Sequence, residues 1–197
     1  MSSDAAGHRH ASLPPSAWIV RHAHLVPAGA RILDLACGLG RHARFFAGRG
    51  ASVLAVDRDP EALAALDGVA GIETRCVDLE AAVWPLSGER FDAVIVTRYL
   101  YRPALPHLIA ALADDGVLVY ETFARGNELY GRPANPDFLL APGELLALVR
   151  ETLAVVAFEQ GLVDGEGGRA VMQRLAAVGR RRGWPPPLAE PPVTRDA

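Results

Sequence analysis

Five short apolar runs alternate with Ala- and Leu-rich stretches of helical character, and this alternation limits the fold more than any other feature of the chain. Residues 31–36, 52–56, 72–77, 91–96 and 116–121 read as strands. Residues 41–49, 60–66 and 103–113 between them read as helices. The first of these helices is closed by Gly50. The second opens on Pro60, which a helix tolerates at its first turn because the missing N–H would have no partner there. The run FDAVIV at 91–96 is apolar almost throughout, as a strand buried on both faces requires. Strands alternating with helices imply a parallel sheet covered on both faces.

The last third breaks the pattern. Residues 142–150 read as a helix, but 152–163 and 169–178 read as two strands joined by Asp164-Gly165-Glu166-Gly167-Gly168, a hairpin rather than another crossover. The parallel sheet should therefore carry an antiparallel end. Ser16, after Pro14-Pro15, is placed to cap a short helix carrying Trp18, His22 and Leu25. Residues 16–182 are expected to form one domain. Residues 1–15 are expected to be a flexible arm, and 183–197, with Trp184 and five prolines, a disordered tail.

At 197 residues the chain suits a single domain, and its 50% hydrophobic content can fill one core. A net charge of -3 disfavours a broad nucleic-acid surface, and Arg180-Arg181-Arg182 reads as a solvated run. All 20 basic residues are Arg, which excludes Schiff-base and P-loop lysine chemistry. Two cysteines make no disulfide framework, there is no signal-peptide apolar region, and no apolar run approaches the ~18 residues of a membrane span. A cytoplasmic setting is the expectation. His8, His10, His22 and His24 fall at i, i+2 spacings that share no helix face, so no metal site is read from them.

The strongest motif is Asp34-Leu35-Ala36-Cys37-Gly38-Leu39-Gly40-Arg41, running from the first strand into a helix. Gly38 and Gly40 allow a sharp turn and close approach of a ligand. The second strand ends in Asp57, seventeen residues after Gly40, where a carboxylate can accept both ribose hydroxyls. The third ends in Asp78-Leu79, suited to an adenine amino group and ring. These residues line up along the carboxyl edge, where open α/β sheets bind ligands. Two nucleotides fit: Gly38 to Ala43 even satisfies the looser dinucleotide pattern. Charge separates them. Asp34 would repel a pyrophosphate but can pair with the ammonium of S-adenosylmethionine (SAM), while the helix N-terminus takes the methionine carboxylate.

Asp34-Leu-Ala-Cys-Gly-Leu-Gly, Asp57, Asp78-Leu79 and FDAVIV resemble the class I SAM-dependent methyltransferases, in particular the compact small-molecule kind that includes the tellurite-resistance type. The resemblance covers residues 31–178. It implies a Rossmann-like α/β three-layer sandwich with a seven-stranded sheet of order 3-2-1-4-5-7-6, strand 7 antiparallel. It implies SAM as methyl donor, S-adenosylhomocysteine as product and no metal. The cofactor set is then Asp34, Ala36, Gly38, Gly40, Asp57, Arg58, Asp78, Leu79 and Thr97.

The acceptor side is expected in the loops after strands 4 and 5, which leave the same edge. Residues 97–103 lack the Asn/Asp-Pro-Pro-Tyr tetrapeptide of many nucleobase and amide N-methyltransferases. Residues 121–137 form a long, Tyr- and Arg-bearing segment of the kind that is often functional. Arg98, Arg102, Arg132 and Asn135 are the candidates for binding a small polar or anionic acceptor. Glu121, Tyr99 and Tyr130 are the candidates for orienting the nucleophile or taking its proton. Residues 125–136 are expected to wall the transferable methyl group. Two alternatives are an NAD(P)-dependent oxidoreductase and a catalytically silent SAM-binding module.

Overall fold

A computed structural model describes residues 13–165 and 168–188. Seven strands form one sheet in the order β3-β2-β1-β4-β5-β7-β6. In chain order they are β1 (Arg31–Leu35), β2 (Ser52–Asp57), β3 (Ile72–Cys76), β4 (Phe91–Thr97), β5 (Leu112–Phe123), β6 (Leu153–Gly165) and β7 (Gly168–Gly179). All pairings from β3 through β5 are parallel, and β7 runs antiparallel to both of its neighbours. This is the Rossmann-like methyltransferase topology. Neither the hairpin ending nor this strand order supports the dinucleotide oxidoreductase alternative.

The strand interiors explain the central position of β1 and β4. Ile32, Leu33 and Leu35 in β1, and Ala93 to Val96 in β4, have essentially no exposure, so both faces of the sheet must be covered. Two separate cores do this. On one face α1 (Ala17–His22), α2 (Arg41–Ala47) and α3 (Pro60–Ala64) bring Trp18, Ile19, Phe46 and Leu63 onto Ile32, Ile95, Val117 and Val119. On the other, α4 (Leu105–Ala110) and α5 (Glu144–Val149) bring Leu105, Leu108, Leu145 and Val149 onto Leu33, Val94, Leu118 and Tyr120.

Local chemistry fixes the ends of these helices. The Ser16 hydroxyl accepts from the Trp18 N–H at 3.2 Å, and Asp59 caps α3 just before Pro60. β5 runs further than the apolar pattern suggests. Its pairing with β4 jumps from Phe91↔Leu112 to Ala93↔Val117, so Asp114-Asp115-Gly116 is carried as a bulge.

His22 packs against Trp18 with ring centroids 4.0 Å apart and the planes tilted by 51°, and His24 contacts the carbonyls of Arg21 and Pro187. His8, His10 and residues 189–197 lie outside the described residues. Among the described residues no helix is long and apolar enough to cross a membrane.

Candidate active site

The turn after β1 is built by backbone strain. Ala36, Gly38 and Gly40 all have positive φ, at 52°, 53° and 73°. A Cβ on Gly40 would lie 2.5 Å from the Leu66 side chain, so glycine is required there for space as well as conformation. The turn is braced from β2: the Gly38 N–H donates to Asp57 Oδ2 at 2.8 Å, while Asp57 Oδ1 accepts from the Asp59 N–H at 3.1 Å.

Two cavities open along this edge. The smaller, about 130 Å³, is lined by Ala36, Asp57, Arg58, Asp78, Leu79 and Tyr99 among others, and has room for a base and little more. Here the Tyr99 hydroxyl is buried with no hydrogen-bond partner among the described residues. Burial, with Glu80 and Asp78 nearby, pushes its pKa up, so it stays a neutral donor. An orphaned donor beside Asp57 and Asp78 fits an adenosine group that would engage it. Tyr99 was expected on the acceptor side; the structure places it in the smaller cavity with Asp57, Asp78 and Leu79 instead. Tyr99→Phe is expected to weaken SAM roughly 3- to 10-fold, the worth of one neutral hydrogen bond of ~0.5–1.5 kcal/mol, as read by titration calorimetry.

The larger cavity, about 430 Å³, is a cleft over the ends of β4, β5 and β7. Arg98, Glu121, Tyr130 and Arg132 line it, as the sequence suggests. Arg98 takes φ 54°, unusual for a side chain of its size, with its N–H bonded to the Glu121 carbonyl at 2.9 Å and its guanidinium 5.9 Å from the Phe123 ring. Arg98 and Arg132 pair with no carboxylate among the described residues. Residues 125–136 form a stapled wall rather than a free loop. Buried Asn127 donates to the Pro133 carbonyl at 2.9 Å and accepts from the Val171 N–H at 3.1 Å.

Four expectations need correction. Tyr99 is one. Arg102 is a clamp, not an acceptor ligand: its guanidinium grips both Glu144 oxygens and the carbonyls of Asp137 and Leu139. Four of its five N–H groups are thereby taken. Asn135 caps the turn at Pro136–Phe138 through the Asp137 N–H and lines neither cavity. Asp34 is only 1% exposed and accepts from the Ala43 N–H at 2.8 Å beneath the turn. Burial pushes its carboxyl up to about 7, so it is not an open carboxylate waiting for an ammonium. Thr97 also lies under the turn, its hydroxyl 3.4 Å from His42 Nδ1.

His42 was not singled out by the sequence. It is 1% exposed and joins three elements: its Nε2 accepts from the Ser16 N–H at 3.1 Å while Nδ1 faces Thr97. Burial, with Arg41 and Arg98 nearby, lowers its pKa to about 3, so the ring is neutral. Arg174, Phe123 and Met172 were also missed, although an arginine inside the apolar run of β7 was a readable signal.

Residues 32–115 match the family model described as a methyltransferase domain. A search of curated proteins finds no match. Among solved structures, TehB from Haemophilus influenzae superposes with a TM-score of 0.69 at 19% identity, over 90% of this chain and 66% of that one. A TehB-like SAM-dependent methyltransferase from Corynebacterium glutamicum gives 0.64 at 21% identity, covering 89% and 94%. The 1,6-didemethyltoxoflavin-N1-methyltransferase of Burkholderia thailandensis, with its acceptor and S-adenosylhomocysteine bound, gives 0.61 at 23%, covering 90% and 80%. The chain therefore shares the fold of SAM-dependent methyltransferases, and its residues 32–115 match a methyltransferase-domain model.

Proposed function

We propose that this chain is a SAM-dependent methyltransferase that acts on a small polar or anionic acceptor held in the 430 Å³ cleft. One observation carries the proposal: Arg98 and Arg132 line the cleft with buried Glu121, and neither has a carboxylate partner among the described residues. Paired arginines are structural by default, whereas unpaired ones beside a buried carboxylate suit an anion that brings its own charge.

When bound, SAM supplies a methyl group already activated by its positive sulfur. The protein's task is then proximity, orientation and exclusion of water. Asp57, Asp78, Leu79 and Tyr99 would hold the adenosine, and the Ala36–Gly40 turn the methionine end. Arg98 and Arg132 would orient the acceptor. Glu121 would receive its proton, with Tyr130 closing the cleft from the wall.

The test is incubation with SAM and a fractionated metabolite extract, read by mass spectrometry. The expected result is S-adenosylhomocysteine together with a product one CH₂ heavier that is retained on an anion exchanger. Binding of SAM without turnover on any fraction would favour the silent-module alternative. Arg132→Ala should cut kcat/KM roughly 10- to 100-fold, the ~1.5–3 kcal/mol of a charged hydrogen bond, while leaving SAM affinity unchanged.

A further inference from the structure

We propose that Glu121 and Arg174 form a two-point floor selecting an acceptor whose nucleophilic O–H or N–H stands next to an anionic oxygen, such as an aromatic hydroxy- or amino-acid with the two groups ortho. The inference rests on the methyl-donor reading above and names the acceptor class for the same cleft.

Strand register brings the two residues together. Glu121 on β5 lies opposite Arg174 on β7, and Arg174 lies opposite Glu159 on β6, so all three side chains leave the same face. Glu121 Oε2 is 3.2 Å from Arg174 Nε, and Arg174 Nη1 is 3.6 Å from Glu159 Oε2. Arg21 from α1 closes the row on Glu159 at 2.8 Å. Despite that proximity, the buried Arg174 Nε–H has no aligned acceptor among the described residues. A simple structural ion pair would align it, because an unmade buried hydrogen bond is costly. Glu159 holds Nη1 only at ion-pair range, and Arg174 lines the cleft together with Glu121, so an oxygen entering beside them would complete the guanidinium's bonding.

The two groups make complementary demands. Arg174 Nε–H needs an oxygen acceptor, preferably charged. Glu121 is 4% exposed and needs a donor. A bare anion satisfies the first and is repelled by the second. A neutral alcohol or amine does the reverse. A ligand with both groups adjacent can meet the two side chains side by side, since their facing atoms stand 3.2 Å apart, and satisfy each. One step along the same face, Phe123 lies in register with Met172, an apolar pair that suits a flat ring. In the reaction, the acceptor's lone pair forms the bond to the methyl carbon. The carbon–sulfur bond breaks with its electrons going to sulfur. The O–H or N–H proton passes to Glu121 and then to solvent.

Calorimetric titration of the full chain, bare and loaded with S-adenosylhomocysteine, tests this with 2-hydroxybenzoate, benzoate and phenol as probes. In both forms 2-hydroxybenzoate is expected to bind at least roughly tenfold tighter than either half-probe. Arg174→Met should reduce it to the level of phenol, with Arg174→Lys recovering part of the loss. Glu121→Gln should reduce it to the level of benzoate. Equal binding of the three probes by the wild type, or binding of none, overturns the proposal without any variant. So does an unchanged ranking in variants that keep the wild-type Tm. If S-adenosylhomocysteine fails to bind while the ranking holds in the bare protein, the donor reading falls and the two-point floor stands. The reverse pattern removes the floor and leaves the donor reading.

Discussion

Asp34→Asn is expected to raise stability at pH 8 by up to about 4 kcal/mol while leaving stability at pH 4 nearly unchanged, being ~1.4 kcal/mol per pH unit over the interval from 3.8 to about 7. The folded protein holds a proton on Asp34 that the unfolded chain has already lost. Its stabilising contribution is therefore complete below 3.8 and lost as pH rises through about 7. The amide keeps an oxygen for the Ala43 N–H and carries no charge to strand in the core. His42 has the opposite sign. Its folded pKa of about 3 lies below the ordinary 6.5, so its contribution is present above 6.5 and lost as pH falls towards 3. Between 3.8 and 6.5 the two slopes oppose each other in the wild type. Removing Asp34 unmasks His42, and the variant should lose roughly 1.4 kcal/mol per pH unit on acidification through that window relative to the wild type. Urea denaturation at a series of pH values reads both effects. Parallel curves for the two proteins would mean that Asp34 is charged in the folded state.

Asp57→Ala should weaken both SAM and S-adenosylhomocysteine by one to two powers of ten, since a charged hydrogen bond is worth ~1.5–3 kcal/mol. The carboxylate has two duties. It faces the smaller cavity, and its Oδ2 holds the Gly38 N–H at 2.8 Å. Asp57→Asn keeps an oxygen for Gly38 but only one acceptor in all. It should therefore fall between the wild type and the alanine variant, and nearer the latter for ligands with both ribose hydroxyls. Affinity measured with SAM and with its 2′-deoxy analogue separates the duties. A ribose contact makes the deoxy analogue, with one hydroxyl fewer to lose, less sensitive to Asp57→Asn than SAM, whereas a pure bracing role makes both ligands lose equally.

The sheet was legible because burial on both faces leaves a strong residue pattern. FDAVIV announces β4, and the glycine run after 153–163 announces the hairpin. The turn and the cavity beside it were legible because positive φ selects glycine at 38 and 40, and because strand ends place Asp57 and Asp78 along the same edge. The rest depended on tertiary pairing, which local pattern does not encode. Nothing near Arg102 in sequence reveals that Glu144, 42 residues on, will claim it. The chain around Tyr99 does not say which way the left-handed turn at Arg98 will send it. Asp34 was read as a charge facing a ligand, because the sequence shows that it ends a strand but not that Ala43 seals it in. Arg174 becomes interesting only when register sets it between Glu121 and Glu159.

Titration calorimetry of the purified protein against SAM, S-adenosylhomocysteine and NADH addresses the methyl-donor site directly. The geometry of the glycine turn, Asp57, Asp78 and Tyr99 predicts binding of SAM and S-adenosylhomocysteine at a Kd on the order of micromolar, about -8 kcal/mol, with no heat from NADH. Binding of NADH with none of SAM would contradict it.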